Sequence, residues 1–540
     1  MIEFPDQPFL TDDFSPKGGG LDFLGTRWVN LTILGDYLLP GINNATRDFG
    51  TYCLAAWIPW KFRSLCQDQK DFTFSNYRKF REAVEVMMSY AMRDDSSSTL
   101  KYNNARNRVG MQQKLSFPTD LSFKEAHRKE SNTIYTAALY GPSLRYLSLL
   151  GFAQDKDGRP TNLLLANDDS TTTAIVRDVD NCLRRSSFYY VVDQMAPPSI
   201  DATAIDDLGI NGLNPAVFKE ADTGMKKNFL KKLLPKENGD QNGRTFTARL
   251  IGHTLKSCVS LNVQQLRHVW HTGLTPLGIL LPVESENIQQ HRKIWSIFQC
   301  RQIQRTFLEL FLQAFEIAVH NYSHTIEEIV DFTINEWEQT EESVPANLND
   351  LVRRETAWLS DTFEFDVASI AWNELVHGEH SFYENIQSDT IDIPVIRAVK
   401  MMTRWFLRTR LWIDRFSQHQ NFFCMGGPER ISISFCLDWI NDRLSYSFKD
   451  LLKNLFTDFI FVQHMRIALG RFDGRTQRLR FIIGDQGIVP TLSVGKSIGK
   501  GFEVMADRLE CFLGLLTDLN VIDENVDHTF SLGNNADYIL

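Results

Sequence analysis

A chain of 540 residues is long enough for two to four domains with sizeable cores. Its 43% hydrophobic and 23% charged residues exclude a disordered or fibrous chain and fit a folded globular one. A formal net charge of −10 argues against a general nucleic-acid coat, which needs positive charge, but leaves room for a local basic groove.

Phenylalanine, at 38 copies, outnumbers Tyr and Trp together and points to thick helix–helix packing. The eight cysteines contain no Cys-x-x-Cys pair and sit mostly among apolar neighbours. They read as buried thiols of a reducing compartment rather than zinc ligands. The start, Met1-Ile2-Glu3-Phe4-Pro5-Asp6, has neither the basic nor the apolar region of a signal peptide. No apolar run is long enough to span a bilayer. These features predict a cytoplasmic protein with no membrane partner.

In chain order, Lys17-Gly18-Gly19-Gly20 closes a Pro/Gly/Asp-rich lead and lacks the spacing of a phosphate loop. The rest is organised around residues 21–63. Trp28, Leu31, Ile33, Leu34, Tyr37 and Leu38 recur at helical spacing. Pro40-Gly41 breaks that helix. Asn43, Asn44 or Thr46 caps a second, which carries Tyr52, Leu54, Ala55, Trp57 and Ile58 and which Pro59 kinks or ends. The pair reads as an αα-hairpin in a core, or, with Arg47 and Asp48 together, as part of a site. Phe74–Arg93 is a helix capped by Ser75 or Asn76, and Arg78, Lys79 and Arg81 crowd the end where cations are unfavourable. They either form a solvated face or meet an anion. Ser122–Leu150 is helical with a break at Gly141-Pro142, Ala153–Thr173 a linker or an exposed loop, and Ala174–Gln194 a helix.

Phe246–Leu261 and Val263–Gly273 follow as helices, the second with His268 and His271 three residues apart. Asn287–Glu342 is the longest helical tract. In it His320, His324 and Glu327 share helical spacing and form the most metal-like helical group, against a plain hydrated face. The tract then turns acidic, a solvated face or a dock for a basic partner. Glu374, His377, Glu379 and His380 group carboxylates with histidines and are the candidate catalytic cluster. Val395–Phe416 carries a stripe of Arg397, Lys400, Arg404, Arg408 and Arg415 interleaved with Trp405 and Trp412. The stripe suits nucleic acid or an acidic protein, or pairs internally with the acidic tract.

Tyr446–Phe472 is a long apolar helix, and Gly484-Asp485-Gln486-Gly487 turns a hairpin before a last helix, Phe502–Val521, and a polar tail. Arg471, Arg475, Arg478, Arg480, Lys496 and Lys500 make this the best basic patch, the candidate nucleic-acid surface. The expected fold is mainly α: multi-helix domains with a small C-terminal helix–β-hairpin–helix unit. The expected domains are an N-terminal helical domain (1–152), a loop-rich connection (153–245), a central helical domain with the acidic tract (246–394) and a basic helical domain with the hairpin (395–540). No G-x-S-x-G, Walker A, glycosidase or Rossmann pattern is present, and no cofactor is expected.

Leu38-Leu39-Pro40-Gly41-Ile42-Asn43-Asn44-Ala45-Thr46-Arg47, followed by Tyr52 and Trp57-Ile58-Pro59-Trp60, resembles the opening of a group of large, functionally uncharacterised bacterial proteins encoded in anti-phage defence islands. The second Arg of the group's pattern is Phe49 or Gly50 here. A second similarity covers the His464–Leu469 helix, the hairpin and Asp507–Leu519. The resemblance implies a component of a prokaryotic antiviral system and carries no catalytic residue with it. The reading is a non-enzymatic sensor or adaptor that binds other subunits of the system, DNA or RNA. The alternative is a metal-dependent nuclease or hydrolase of the same system.

Overall fold

A computed structural model describes residues 22–44, 47–68, 70–92, 133–135, 140–155, 157–220, 223–235, 243–277, 279–283, 285–340, 343–356, 393–471, 479–491 and 507–540. The fold is mainly α-helical. Among the described residues the strands form three antiparallel hairpins. The chain divides into two compact units, each discontinuous in sequence. One comprises Met1–Ile33, Gln264–Leu281 and Gln289–Met505, and is called the long-helix unit below. The other, the Trp57 unit, comprises Leu34–Val263, Pro282–Ile288 and Ala506–Leu540.

The Trp57 unit is built on the helix Phe49–Leu65, which is apolar on nearly every side and accordingly buried all round. It packs against Phe74–Ala91, Ser170–Leu183 and the strand Pro160–Ala166. Its cap is Asp48, not Asn43, Asn44 or Thr46: the carboxylate accepts from Gly50 N (3.0 Å) and Thr51 N (3.4 Å). Phe74–Ala91 is likewise capped earlier than expected, two residues before Ser75, by Thr73 accepting from Asn76 N. The Pro40-Gly41 turn forms as predicted, with Gly41 at φ +75°. It is clamped by the helix Gly243–Cys258, whose buried Arg244 donates to Pro40 O (2.7 Å) and whose Thr247 donates to Leu38 O (2.8 Å).

Pro59 does not end its helix, which runs on to Leu65. A proline removes the N–H that would bond the carbonyl four residues back, here that of Ala55. Tyr135 supplies the replacement, its hydroxyl donating to Ala55 O at 2.7 Å. Tyr135→Phe should therefore cost about 1–2 kcal/mol by orphaning that carbonyl. Pro59→Ala in the same chain should recover most of the loss. Urea titration of the two variants reads this directly, and an unchanged midpoint for Tyr135→Phe would mean that water takes the hydroxyl's place.

Two hairpins of this unit are absent from the sequence reading. Leu150–Gln154 pairs with Pro160–Ala166 where an exposed loop was expected. The Asp, Asn and Gly residues that suggested a loop make the turn: Asp155 Oδ1 accepts from Asp157 N (2.9 Å) and Arg159 N (2.8 Å), and Gly158 sits at φ +76°. The polar tail also pairs, Ile522–Glu524 with Phe530–Leu532, and Phe530 exchanges backbone bonds with Leu261.

The long-helix unit is organised by Glu286–His320, which belongs to it from Gln289 onward. Around it lie Ile326–Glu338, Pro394–Arg415, Ile433–Asn441 and Phe448–Leu455. The last continues through a π-helical stretch, Phe456–Val462, into Gln463–Gly470. The abundant phenylalanines pack as expected: Phe315 contacts Phe456 (5.7 Å) and Phe481 (4.8 Å), and Phe481 stacks on Phe461. The hairpin Phe481–Gly484 with Gly487–Pro490 forms at the predicted turn, Ile483 opposite Ile488. Ile431 adopts φ +47°, strained for a β-branched residue, and its carbonyl is held by the buried side chains of Arg301 and Gln304. Among the described residues no helix is long and apolar enough to cross a membrane.

Candidate functional site

The basic C-terminal residues divide sharply. Arg480 is buried and forms a bidentate pair with Glu316, Nη2 to Oε2 at 2.7 Å, while its guanidinium lies over the Phe23 ring at 4.5 Å. Its backbone N–H donates to His464 Nε2 (3.0 Å), so His464 carries its proton on Nδ1 and donates to Phe23 O (3.2 Å). Burial pushes His464 down to about 4. Arg471 donates to Asp22 O (2.7 Å) and pairs with its carboxylate (3.3 Å). Both arginines are thus engaged inside the long-helix unit, where a phosphate backbone would have to displace a carboxylate. Arg475, Arg478, Lys496 and Lys500 lie outside the described residues, as do Glu374, His377, Glu379 and His380.

The helical spacing behind the His320, His324 and Glu327 group does not exist, because the long helix ends at His320. Tyr322 turns the chain at φ +66°, and Thr325 opens the next helix with a capping box to Glu328. His324 turns to the hairpin, Nδ1 to Ile488 O at 3.0 Å and its own carbonyl accepting from Ile488 N. Glu327 pairs with Lys453, and Asp331 pairs with Lys449. The acidic helix therefore meets the lysines of Phe448–Leu455. Among the described residues no three His, Cys, Asp or Glu side chains gather as a metal centre requires.

Of the arginine stripe, Arg408 faces inward and is buried. His268 and His271 are buried as well, pushed down to about 2 and well below the ordinary range by burial, with Arg408 adding to both shifts.

In the Trp57 unit, residues from the two stretches that carry the resemblance meet. Arg47 donates to Cys511 Sγ (3.2 Å) and lies 3.6 Å from Glu510, at the start of the helix Leu509–Asp518. Asp518, at that helix's end, accepts from Phe49 N (3.2 Å) and lies 3.6 Å from Lys219. Asp48, buried and acted on by Asp518, is pushed up to about 6, burial being the larger cause. Two carboxyl groups therefore share the N-terminus of Phe49–Leu65, while Arg47 faces the other helix. Arg47 and Asp48 serve different ends of one joint rather than acting as a pair. Residue type alone hinted at Asp48; nothing local in the sequence pointed to Asp518. Trp57, from the Trp-Ile-Pro-Trp segment, donates to Asp180 Oδ1 (3.1 Å), which also accepts from Tyr189 (2.8 Å). The segment thus closes a buried polar hub.

Compared with protein-family models, curated proteins and solved structures, the chain matches none.

Proposed function

We propose that the chain is a non-enzymatic sensor or adaptor of a prokaryotic antiviral system, working in the cytoplasm and engaging a protein partner through the loop Gly273–Leu281. The setting rests on the resemblance of Leu38–Arg47 and Trp57–Trp60 to defence-island proteins. The mode of binding rests on one observation: Leu277, Ile279 and Leu280 are 84%, 62% and 75% exposed.

The loop that carries them is closed by its own backbone. Thr275 N donates to Ile279 O (2.7 Å) and Leu281 N to Gly273 O (2.8 Å). It bears no charge from Gly273 to Val283, so it offers nothing to a phosphate backbone and much to an apolar groove. Covering a large aliphatic side chain contributes about 1.5–3 kcal/mol, and three adjacent ones would anchor an interface.

Leu277→Asp with Leu280→Asp should leave stability within about 0.5 kcal/mol of the wild type, since both side chains are exposed. Affinity purification from the native host, with nuclease treatment, should recover a partner protein with the wild type and lose it with the variant. The variant should also lose any protection that the gene gives against phage plating. Undiminished recovery by the variant, or recovery of nucleic acid alone, would overturn the reading.

A further inference from the structure

Two aromatic rings of the Trp57 unit stand half in water, each with a guanidinium laid against it. Tyr146, the last residue of the helix Gly141–Tyr146, is 53% exposed. The buried guanidinium of Arg244 lies 5.3 Å from its ring centroid. Phe152, on the strand Leu150–Gln154, is 41% exposed, and the guanidinium of Arg145 lies 5.2 Å from its centroid. Arg145 directly precedes Tyr146, so the two ring–guanidinium pairs are neighbours. A cation over a ring holds the ring in place and leaves part of its surface open.

Lysines border the same face. Arg244 also donates to Leu233 O (3.1 Å), which brings the end of the helix Thr223–Leu233 to Tyr146. That helix carries four lysines and no acid. Lys232 donates to Ser148 O (3.1 Å) and to Asp169 (2.7 Å). Asp169 is already spent, because it accepts from Thr171 N and Thr172 N as well. The exposed Lys231 donates to Asn228 Oδ1 (3.2 Å), and the exposed Arg145 to Gly141 O (3.4 Å). Among the described residues no carboxylate pairs with either.

The face therefore offers two flat platforms side by side and cations in want of anions. An acidic peptide would answer the charge and leave the platforms unused. A nucleic acid answers both. Every base has a flat π-face that stacks on aromatic rings and on guanidinium planes, and every nucleotide brings a phosphate. In a duplex the bases stack on one another, so the strand that fits is a single one.

We propose that Tyr146 and the Arg145–Phe152 pair form a stacking surface for single-stranded nucleic acid, with Lys231 meeting its phosphates. No bond is made or broken. The surface shares no residue with the loop Gly273–Leu281, and the proposal does not rest on that loop.

The probes are fluorescein-labelled oligo-thymidine and oligo-uridine of about 20 nucleotides, enough to cover one such surface. Fluorescence anisotropy with the full chain at about 50 mM salt is the readout. Saturable binding with a micromolar Kd is expected. Equal affinities assign the surface to the bases and phosphates that the two probes share, and a preference assigns it to DNA or to RNA. Phe152→Leu and Tyr146→Leu should each weaken binding by about 5- to 150-fold, the range spanned by loss of one stacked base. Tyr146→Phe, which keeps the ring, should stay within about twofold of the wild type. Lys231→Gln should weaken binding to both probes and lower the salt slope by about 1. A sugar-phosphate chain of the same length without bases should bind more weakly than oligo-thymidine.

Thermal unfolding checks that each variant is folded. Phe152 and Lys231 are exposed, so their variants keep the test decisive should Tyr146→Leu not fold. No saturable binding by the wild type would overturn the proposal. Binding that survives both Phe152→Leu and Lys231→Gln would place the nucleic acid elsewhere on the chain. A base-free chain bound as tightly as oligo-thymidine would make the face a reader of charge alone, open to an acidic peptide. Either of these results also overturns it.

Discussion

Glu316→Ala should destabilise the long-helix unit by about 3–5 kcal/mol. The substitution leaves the Arg480 guanidinium buried between the long helix and the Phe23 ring with its bidentate acceptor gone. The loss should spread to His464, whose Nε2 bonds the Arg480 backbone and whose Nδ1 holds Phe23 O. Removing both charges at once, as Glu316→Leu with Arg480→Met, should return most of the stability, since an apolar pair of similar volume replaces a desolvated ion pair at little cost. Guanidinium titration of the singles and the double measures the coupling. A Glu316→Ala chain within about 0.5 kcal/mol of wild type would show that water reaches the pair. The same geometry decides how nucleic-acid binding should be tested. Arg480→Glu would set two carboxylates face to face in the core, so lost binding there would report unfolding. Substitutions at Arg475, Arg478, Lys496 and Lys500 avoid that ambiguity.

Mild acid should open the long-helix unit before the Trp57 unit. His268, His291 and His464 are pushed down to about 2, 3 and 4, and His271 well below its ordinary value, in each case chiefly by burial. Folded, they stay neutral; unfolded, they take protons near pH 6.5. Stability is complete above that pH and falls as pH drops through it, by about 1.4 kcal/mol per histidine per pH unit. Glu309, pushed up to about 7, and Glu316, also raised, act in the opposite sense, since burial makes the folded state accept their protons first. The lowered histidines outnumber the raised glutamates, so on balance the unit loses stability as pH falls below 6.5.

In the Trp57 unit the sign reverses. Asp48, raised to about 6, adds stability as pH falls below 6, and Asp518, also raised by burial, acts in the same sense. The depressed Asp169 and Asp180 withdraw theirs only as pH falls below about 4. Peptide-level hydrogen exchange at pH 7.5 and pH 5, corrected for intrinsic rates, should show protection lost along Glu286–His320 and retained along Phe49–Leu65. Equal loss in both, or earlier loss in Phe49–Leu65, would contradict the assignment of neutral buried histidines.

The long helices were legible in the sequence because their signal is local: apolar spacing for Phe74–Ala91 and Pro394–Arg415, and a turn tetrapeptide for the 481–490 hairpin. What failed depended on distant partners. Pro59 is tolerated because of Tyr135, which periodicity cannot connect to it. His320 ends its helix at Asn321-Tyr322, without the glycine or proline that usually marks a stop. The 150–166 hairpin was hidden by a polar turn and strands of five and seven residues, too short to show a clear alternation. Arg480 reads as surface charge until Glu316, 164 residues earlier, is found beside it. Composition correctly suggested a basic C-terminal region; only tertiary contact tells which of its arginines are spent.

The interleaving of the two units bears on how the chain is made. Asp22 waits for Arg471, and Phe49 waits for Asp518, so each unit closes a contact between its first and its last segments. At about 5–20 residues per second, a ribosome leaves those two contacts open for roughly 20 to 95 seconds. A chain released before Arg471 therefore closes neither contact, and one released between Met505 and Asp518 carries the whole long-helix unit but leaves Phe49 without its acceptor.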